Sequence, residues 1–441
     1  MGDLRDATHV YRIGADHLLM GATPQKHPRT VGKEGSGIST RWRLRPLLVR
    51  IHRYIGVSIA TFVAIAALTG CPLAFNTELE RFFSPQLFAP RRAPESRLSL
   101  AELADKTQLI VPKGRVLQVT YTEPDQAAVY IVPRTNSATG QLEDLGFDEF
   151  FVNPWTGTEL GRRRRGDLFE GRINVMPFLY EVHWRLAAGH SGQQVMGFSA
   201  LLWFLDCFVG FALTLPTTCT AFFSRWKIAW CVEWNAGRFR RIFDFHRAVG
   251  LWLWAVLLIF AWSAVMMNLR PVFDPTMSLL FDYQPEIPLP RHSVATPRLD
   301  WKAAETAGRR WIALEATRRR FTAGPPQSLM YDPDSNTYSY MIHGSRDVFE
   351  RSPKGGGTYV DFDADMGALL QCVEPTGRHS GNTVESWLYA LHMTRVFGHP
   401  YQWFVAGFGV ATASMAITGL WLWLRKLRNR SRTSAWQLAQ R

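Results

Sequence analysis

Two twelve-residue segments of this chain nearly repeat each other, LYEVHWRLAAGH from Leu179 to His190 and LYALHMTRVFGH from Leu388 to His399. Each carries Leu-Tyr, a His three residues after the Tyr, and Gly-His six and seven residues beyond that His. Each then runs into a long apolar stretch. A shorter echo pairs HRYIG (His52 to Gly56) with HRAVG (His246 to Gly250), again at the mouth of an apolar stretch. The separations are similar: 209 residues from His183 to His392 and 194 from His52 to His246. Four apolar segments in two tandem halves, each opened by a histidine, point to a duplicated α-helical membrane protein with ligands at both faces.

The segregation of charge supports this class. No charged residue falls between Arg53 and Glu78, between Arg247 and Arg270, or between Arg395 and Arg425, and Gln194 to Pro216 holds only Asp206. A hydrocarbon core of about 30 Å needs about 20 helical residues, and each stretch suffices. Lys and Arg near the helix ends set the orientation. Arg41, Arg43, Arg45, Arg50 and Arg53 precede the first span. Arg225, Lys227, Arg238, Arg240, Arg241 and Arg247 lie between the second and third, and Arg425, Lys426, Arg428, Arg430 and Arg432 follow the fourth. All three clusters belong in the cytoplasm, so the net charge of +13 is mainly a topology signal. Basic clusters that flank apolar spans, with no nucleic-acid motif, argue against a nucleic-acid partner and for a lipid environment.

The expected organisation is a cytoplasmic tail (1–41), a first membrane helix (42–77), an external α+β domain (78–182), a second membrane region (183–224), a cytoplasmic loop (225–242), a third helix (243–269), a second external domain (270–387), a fourth membrane region (388–424) and a basic cytoplasmic tail (425–441). The first forty residues lack an apolar core of signal-peptide type, so the first helix reads as an uncleaved anchor. In the outer segments, Leu98 to Leu109 and Trp301 to Thr317 have helical spacing. Arg115 to Tyr121, Ala127 to Val132 and Glu149 to Val152 alternate like strands. VNPWTGTELG (Val152 to Gly161) reads as a hairpin. In the matching TYVDFDADMGALLQ (Thr358 to Gln371), Asp365-Met366-Gly367 replaces Trp155-Thr156-Gly157 at the turn. The run Arg162 to Arg165 reads as a solvated loop face, with anion binding as the lesser alternative.

A single His at a membrane-helix end is a good interfacial residue. A matched set of four needs a shared task, because ionisable groups at membrane depth are expensive. Neutral imidazole is the commonest side-chain metal ligand, and His on facing helices can hold a cofactor between them. No carboxylate or Cys recurs beside these His, which disfavours zinc and non-haem iron. The absence of CxxC and CxxCH removes support for covalent c-type haem or a compact zinc site. Bis-imidazole ligation of b-type haem fits better, with His52 and His246 serving one haem at the cytoplasmic face and His183 and His392 a second at the outer face. Gly56, Gly70, Gly250 and Gly419 would admit a porphyrin, although close helix packing explains them equally. His190 and His399, two helical turns on and on roughly the same face, are weaker candidates. An unbroken helix from His183 to Pro216 would be about 50 Å long, so either it breaks near Gly189 to Gly192 or His183 stands above the membrane. Asp206 lacks a counterpart in the fourth helix and reads as a solvated or hydrogen-bonded structural acid ahead of a catalytic one.

HRYIGVSIATFVAIAALTG (His52 to Gly70), VNPWTGTELG with LYEVHWRLAAG, FDFHRAVGLW (Phe243 to Trp252) and LYALHMTRVFG with MAITGLWLW (Met415 to Trp423) together resemble the PepSY-associated transmembrane family over roughly residues 42–428. The resemblance implies PepSY-like outer domains, a bacterial inner-membrane location with both termini cytoplasmic, and relatives that include ferric-siderophore reductases. The chain would then take electrons from a cytoplasmic donor and reduce a ferric siderophore or other ferric chelate in the periplasm. The altered turn of the second hairpin makes its domain structural under this reading. Two rivals remain: a haem-free protein whose PepSY-like domains bind a partner in assembly, and an electron-transfer subunit serving a quinone or protein. Reporter tags after Arg441 and within Met1 to Ser39 are expected to read cytoplasmic, and tags near Gly140 or Gly356 periplasmic. An odd number of spans, seen as termini on opposite sides, would remove this topology.

Overall fold

The computed structural model describes residues 39–90, 92–93, 96–136, 138–284, 297–348 and 357–439. Residues 1–38 of the expected tail (1–41) and the tag position Gly356 lie outside these. In chain order come α1 (Ser39–Leu73), α2 (Asn76–Phe83), α3 (Leu100–Ile110), β1 (Gly114–Glu123), β2 (Gln126–Pro133), β3 (Glu149–Val152), β4 (Glu159–Arg163), α4 (Val175–Arg185) and α5 (Gly189–Thr214). Then follow α6 (Phe222–Lys227), α7 (Arg238–Trp252), α8 (Trp254–Asn268), α9 (Arg270–Leu280), α10 (Trp301–Arg319), β5 (Ala323–Asp332), β6 (Thr337–Gly344), β7 (Thr358–Asp363), β8 (Leu369–Val373), α11 (Ser380–His392) and α12 (Gly398–Ala439).

Among the described residues three helices are long and apolar enough to cross a bilayer, over Leu44–Leu73, Gly189–Thr214 and Gly398–Asn429. α7 and α8 qualify only as a pair, bent by 70°. The third span, expected as one helix over 243–269, therefore begins earlier and is broken at Leu253. The indoles on either side of the break are tied to different neighbours: Trp252 donates to the Trp230 carbonyl at 3.2 Å and Trp254 to the Cys207 carbonyl at 3.1 Å. Within the bundle α1 packs between α5 and α12, while α8 lies on α5 and α7 on α12.

The second and fourth membrane regions are each interrupted after their His. α4 stops at Arg185, with Leu186 and Ala187 in left-handed backbone (φ 57° and 51°) before α5 starts. Non-glycine residues seldom hold this conformation, which costs on the order of 1–3 kcal/mol each. Gly192 makes the junction possible, since a Cβ there would sit 1.8 Å from the Arg185 carbonyl oxygen. α11 ends at His392 and α12 begins at Gly398, with Thr394 and Phe397 left-handed (φ 54° and 60°). The break lies just ahead of the glycine positions suggested by sequence.

The outer segments, expected as two domains, form one antiparallel eight-stranded sheet in the order β4-β3-β2-β1-β5-β6-β7-β8. Each segment supplies one covering helix and four strands to this layer, and the halves meet where β1 pairs with β5 through Gln118↔Met330, Val119↔Leu329 and Thr120↔Ser328. Fusion leaves neither β1 nor β5 as an open edge. α3 and α10 cover one face, where Val119, Phe150, Leu329, Val360 and Phe362 are fully buried in a continuous core. The Ala101 amide donates to Glu305 at 2.9 Å and links the two covering helices. The opposite face carries Gln118, Thr120, Gln126, Tyr359 and Gln371 above the bundle.

The two hairpin turns share their geometry despite their different residues. The Gly157 amide bonds to the Asn153 carbonyl at 2.8 Å and the Gly367 amide to the Asp363 carbonyl at 2.9 Å, with both glycines left-handed (φ 72° and 67°). Only the side chains of the turn were lost, because Asn153 and Asp363 cap it equally: each side chain accepts the amide two residues on, at 2.9 Å.

Helix α10 approaches the sheet at Gly308, where a Cβ would lie 2.5 Å from the Tyr340 side chain. Tyr340 is buried and walled in by the core, so Gly308→Val is expected to cost roughly 1–3 kcal/mol. Thermal unfolding of the detergent-solubilised protein would show this as a lowered Tm. Gly407→Ala, which meets nothing within 4 Å, is expected to leave Tm unchanged.

Candidate functional site

The four histidines singled out by the repeats are brought together in two pairs. His52 on α1 faces His246 on α7 with ring centroids 6.2 Å apart, and His183 on α4 faces His392 on α11, also at 6.2 Å. Metal–imidazole bonds are about 2.0–2.1 Å, so two rings ligating one ion from opposite sides have centroids roughly 6.3 Å apart. The observed spacing suits that arrangement. The pairs sit at opposite ends of the bundle. Thr69 and Gly70, which meet His183, are 17 and 18 residues along α1 from His52, about 26 Å of helix.

Every one of these rings is held at Nδ1 by the neighbouring helix. His246 Nδ1 lies 3.1 Å from the Met415 carbonyl, which can only accept, so this nitrogen carries the proton. His52 Nδ1 lies 3.0 and 2.9 Å from the two carboxylate oxygens of Asp206 and donates to them. Thr69 donates its hydroxyl proton to the Ile65 carbonyl at 2.6 Å, which leaves its oxygen to accept from His183 Nδ1 at 3.0 Å. Ser263 donates to the Phe260 carbonyl at 3.0 Å and accepts from His392 Nδ1 at 2.7 Å. A hydroxyl has one proton, and here a helix carbonyl takes it. The same tautomer results at all four sites, with Nδ1 protonated and the Nε2 lone pair free. Among the described residues none makes a hydrogen bond to any of these Nε2 atoms.

The contacting residues obey the duplication, a signal in the sequence that the repeat motifs alone did not reveal. Thr69 follows His52 by 17 residues, and Ser263 follows His246 by 17. Asp206 and Gly210 follow His183 by 23 and 27, as Met415 and Gly419 follow His392. Glycine is needed where the Cε1 edge of a ring comes close to the opposite helix. A Cβ at Gly70 or Gly419 would stand 3.1 Å from His183 or His246 Cε1, and one at Gly210 3.5 Å from His52 Cε1. Gly56 meets nothing within 4 Å, so open space adjoins α1 one turn beyond His52. Gly250 belongs to packing, since its Cβ would meet the Met415 methyl at 3.1 Å.

His190 and His399 do not join either pair. Both are exposed, and His399 Nδ1 contacts Gln402 at 2.6 Å and Glu78 at 3.8 Å. Two turns of continuous helix would have put them on the face of His183 and His392, but the break after each of those residues turns the chain away. Asp206, expected as a solvated or hydrogen-bonded structural acid, is buried and has His52 as its only hydrogen-bonding or ionic partner among the described residues.

A cavity of about 1420 Å³ lies between the polar face of the sheet and the bundle. It descends along α1 from Leu73 to Phe62, about 16 Å of helix, and takes in His183, His392, Ala66, Gly70, Ala200, Phe260 and Phe408. His52 and His246 are not among its walls. The upper wall is charged. Arg163, expected as part of a solvated face, is 7 % exposed and bonds Glu80 at 2.5 Å and Glu149 at 2.7 Å. Arg165 reaches Glu149 at 3.5 Å and Glu181 at 3.6 Å, and Arg270 pairs with Glu385 at 2.5 Å. Burial raises the Glu80 carboxyl above the ordinary range, and Arg163 pulls it back. The arginine run is thus mainly a set of ion pairs that ties β4 to α2 and α4. Among the described residues no three His, Cys, Asp or Glu side chains converge as a metal site, so the donors come in twos.

A helix bundle with duplicated imidazole pairs, capped by a duplicated sheet across one shared cavity, defines a class of tandem-repeat membrane proteins. The chain belongs to the family described as the PepSY-associated TM region, whose model matches residues 49–426. No protein of curated function matches it.

Proposed function

We propose that the protein is an inner-membrane b-type haem protein, with both termini in the cytoplasm, that carries electrons from a cytoplasmic donor to a ferric chelate in the periplasm. The observation that carries this reading is two imidazole pairs, each with ring centroids 6.2 Å apart and with no hydrogen bond to any of their Nε2 atoms among the described residues. Room for a flat macrocycle supports it in the cavity beside His183 and His392. His52 with His246, and His183 with His392, would hold haem, which would supply a reversible one-electron couple. The protein positions the four rings, fixes their tautomers through Nδ1, and surrounds them with apolar helix faces.

The substrate side follows from the cavity. Its wall carries arginines from both halves together with the carboxylates that pair with them, a polar lining suited to an oxygen-rich chelate, and the sheet holds it over His183 and His392. Hydroxamate and catecholate oxygens are hard ligands that hold Fe(III) more tightly than Fe(II), so one-electron reduction loosens the iron for import. Ferric siderophores are the proposed substrates on this ground.

A reduced-minus-oxidised spectrum of the purified protein is expected to show low-spin bis-histidine bands and no covalently bound haem. His52→Ala or His246→Ala is expected to remove about half the haem, and His183→Ala or His392→Ala the other half. His190→Ala and His399→Ala are expected to leave haem content near normal. A preparation from haem-replete cells without Soret absorbance would refute the redox reading and favour a partner-binding role.

A further inference from the structure

The internal duplication is in register at three pairs of residues that touch the rings, Thr69 with Ser263, Gly210 with Gly419 and Asp206 with Met415, and at the last of these it breaks in kind. Three of the four Nδ1 atoms are held by neutral oxygens: the hydroxyls of Thr69 and Ser263, and the Met415 carbonyl with Thr418 Oγ1 at 3.2 Å. The fourth is held by a carboxylate. Asp206 occupies the position that Met415 fills in the second half, each 23 residues after its LY..H histidine and each four residues before the glycine against which the opposing ring lies. Its two oxygens straddle His52 Nδ1 at 3.0 and 2.9 Å. The residue is 7 % exposed, and no Lys or Arg pairs with it among the described residues.

An acid at membrane depth is costly unless it has a task. A carboxylate on the far nitrogen of a ligating imidazole makes that imidazole a stronger donor, and a nearby negative charge favours the higher charge on the metal. Neutral hydroxyls and carbonyls orient a ring without adding such a charge. We propose that Asp206 is a positioning residue that sets the two sites apart in reduction potential. By its charge it lowers the site of His52 and His246 relative to that of His183 and His392, so that a single electron shared between them rests at the sheet end. The direction of transfer is then written into one departure from internal symmetry. This rests on the haem reading above.

Potentiometric titration of the purified holoprotein tests it, with the two components assigned by the His183→Ala and His246→Ala variants. Asp206→Asn keeps an oxygen that accepts from Nδ1 and removes the charge. It is expected to raise the midpoint of the His52/His246 component by about 59 mV or more, a tenfold change for a one-electron couple. The other component and the low-spin spectrum are expected to stay as they were. Asp206→Glu is expected to restore most of the native value. Unchanged potentials in a haem-replete Asp206→Asn protein, or equal shifts of both components, would overturn the proposal and reduce Asp206 to a structural acceptor. Should Asp206→Asn fail to retain the group, Met415→Asp provides the reciprocal test: it must lower the His52/His246 component, and a rise or no change overturns the proposal. Absence of haem from the native protein is a separate outcome that defeats the haem reading itself.

Discussion

An imidazole can bind a metal only through the nitrogen that does not carry its proton, and in this protein the helix opposite makes that choice four times. The acceptors differ, but each leaves Nδ1 protonated and Nε2 open. The hydroxyl cases are instructive. A Thr or Ser within a helix ordinarily returns its proton to a carbonyl three or four residues back, which leaves its oxygen as a pure acceptor toward the neighbouring helix. Thr69 and Ser263 do this, and so a habit of local helix chemistry fixes a tautomer on another element. Because the grip comes from the facing helix, ring orientation depends on helix packing, and small residues at Gly70, Gly210 and Gly419 let the helices come close enough.

The duplication joins the halves at three levels with one geometry. β1 meets β5 across the sheet, His183 meets His392 beneath it, and His52 meets His246 at the far end of the bundle. Corresponding elements from the two halves face one another each time, so a ring pair needs only one histidine per repeat. The breaks after α4 and α11 serve this arrangement. They detach the short His-bearing helices from the spans that follow, so that these rings are placed by the packing of α4 on α1 and of α11 on α8.

The pairing was legible in the sequence because it is a matter of equivalence: residues alike in context and separated by nearly equal lengths face one another in a duplicated fold. The partners of Nδ1 were equally present, as spacings of 17 and 23 residues, but a Thr or Ser inside an apolar span gives no local sign of what it touches. Strands and covering helices could be read from alternation and periodicity, as at Glu149 to Val152. Their union into one sheet could not, because the seam through Val119 and Leu329 is a long-range pairing with no turn to announce it. The fate of His190 and His399 was hidden for a different reason. Helical periodicity extrapolates through residues such as Leu186 and Ala187, whose left-handed backbone accompanies the close approach of Gly192 to the Arg185 carbonyl rather than following their own preferences.

The arginine run shows the same limit from the electrostatic side. Four consecutive basic residues on an outer loop look solvated when counted along the chain. Strand alternation, however, sends Arg163 inward among Glu80 and Glu149, against the ring of Phe151 at 5.1 Å. Glu80 stands on α2, one short step beyond α1, and Glu181 on α4, two residues before His183. The ion pairs therefore clamp the first half of the sheet onto α2 and onto α4, the helix that carries the ring at the cavity floor. In a site where a ring must be held to within fractions of an ångström, such a clamp sets the height of the sheet over His183, and with it how near anything in the cavity can come to that end of the bundle.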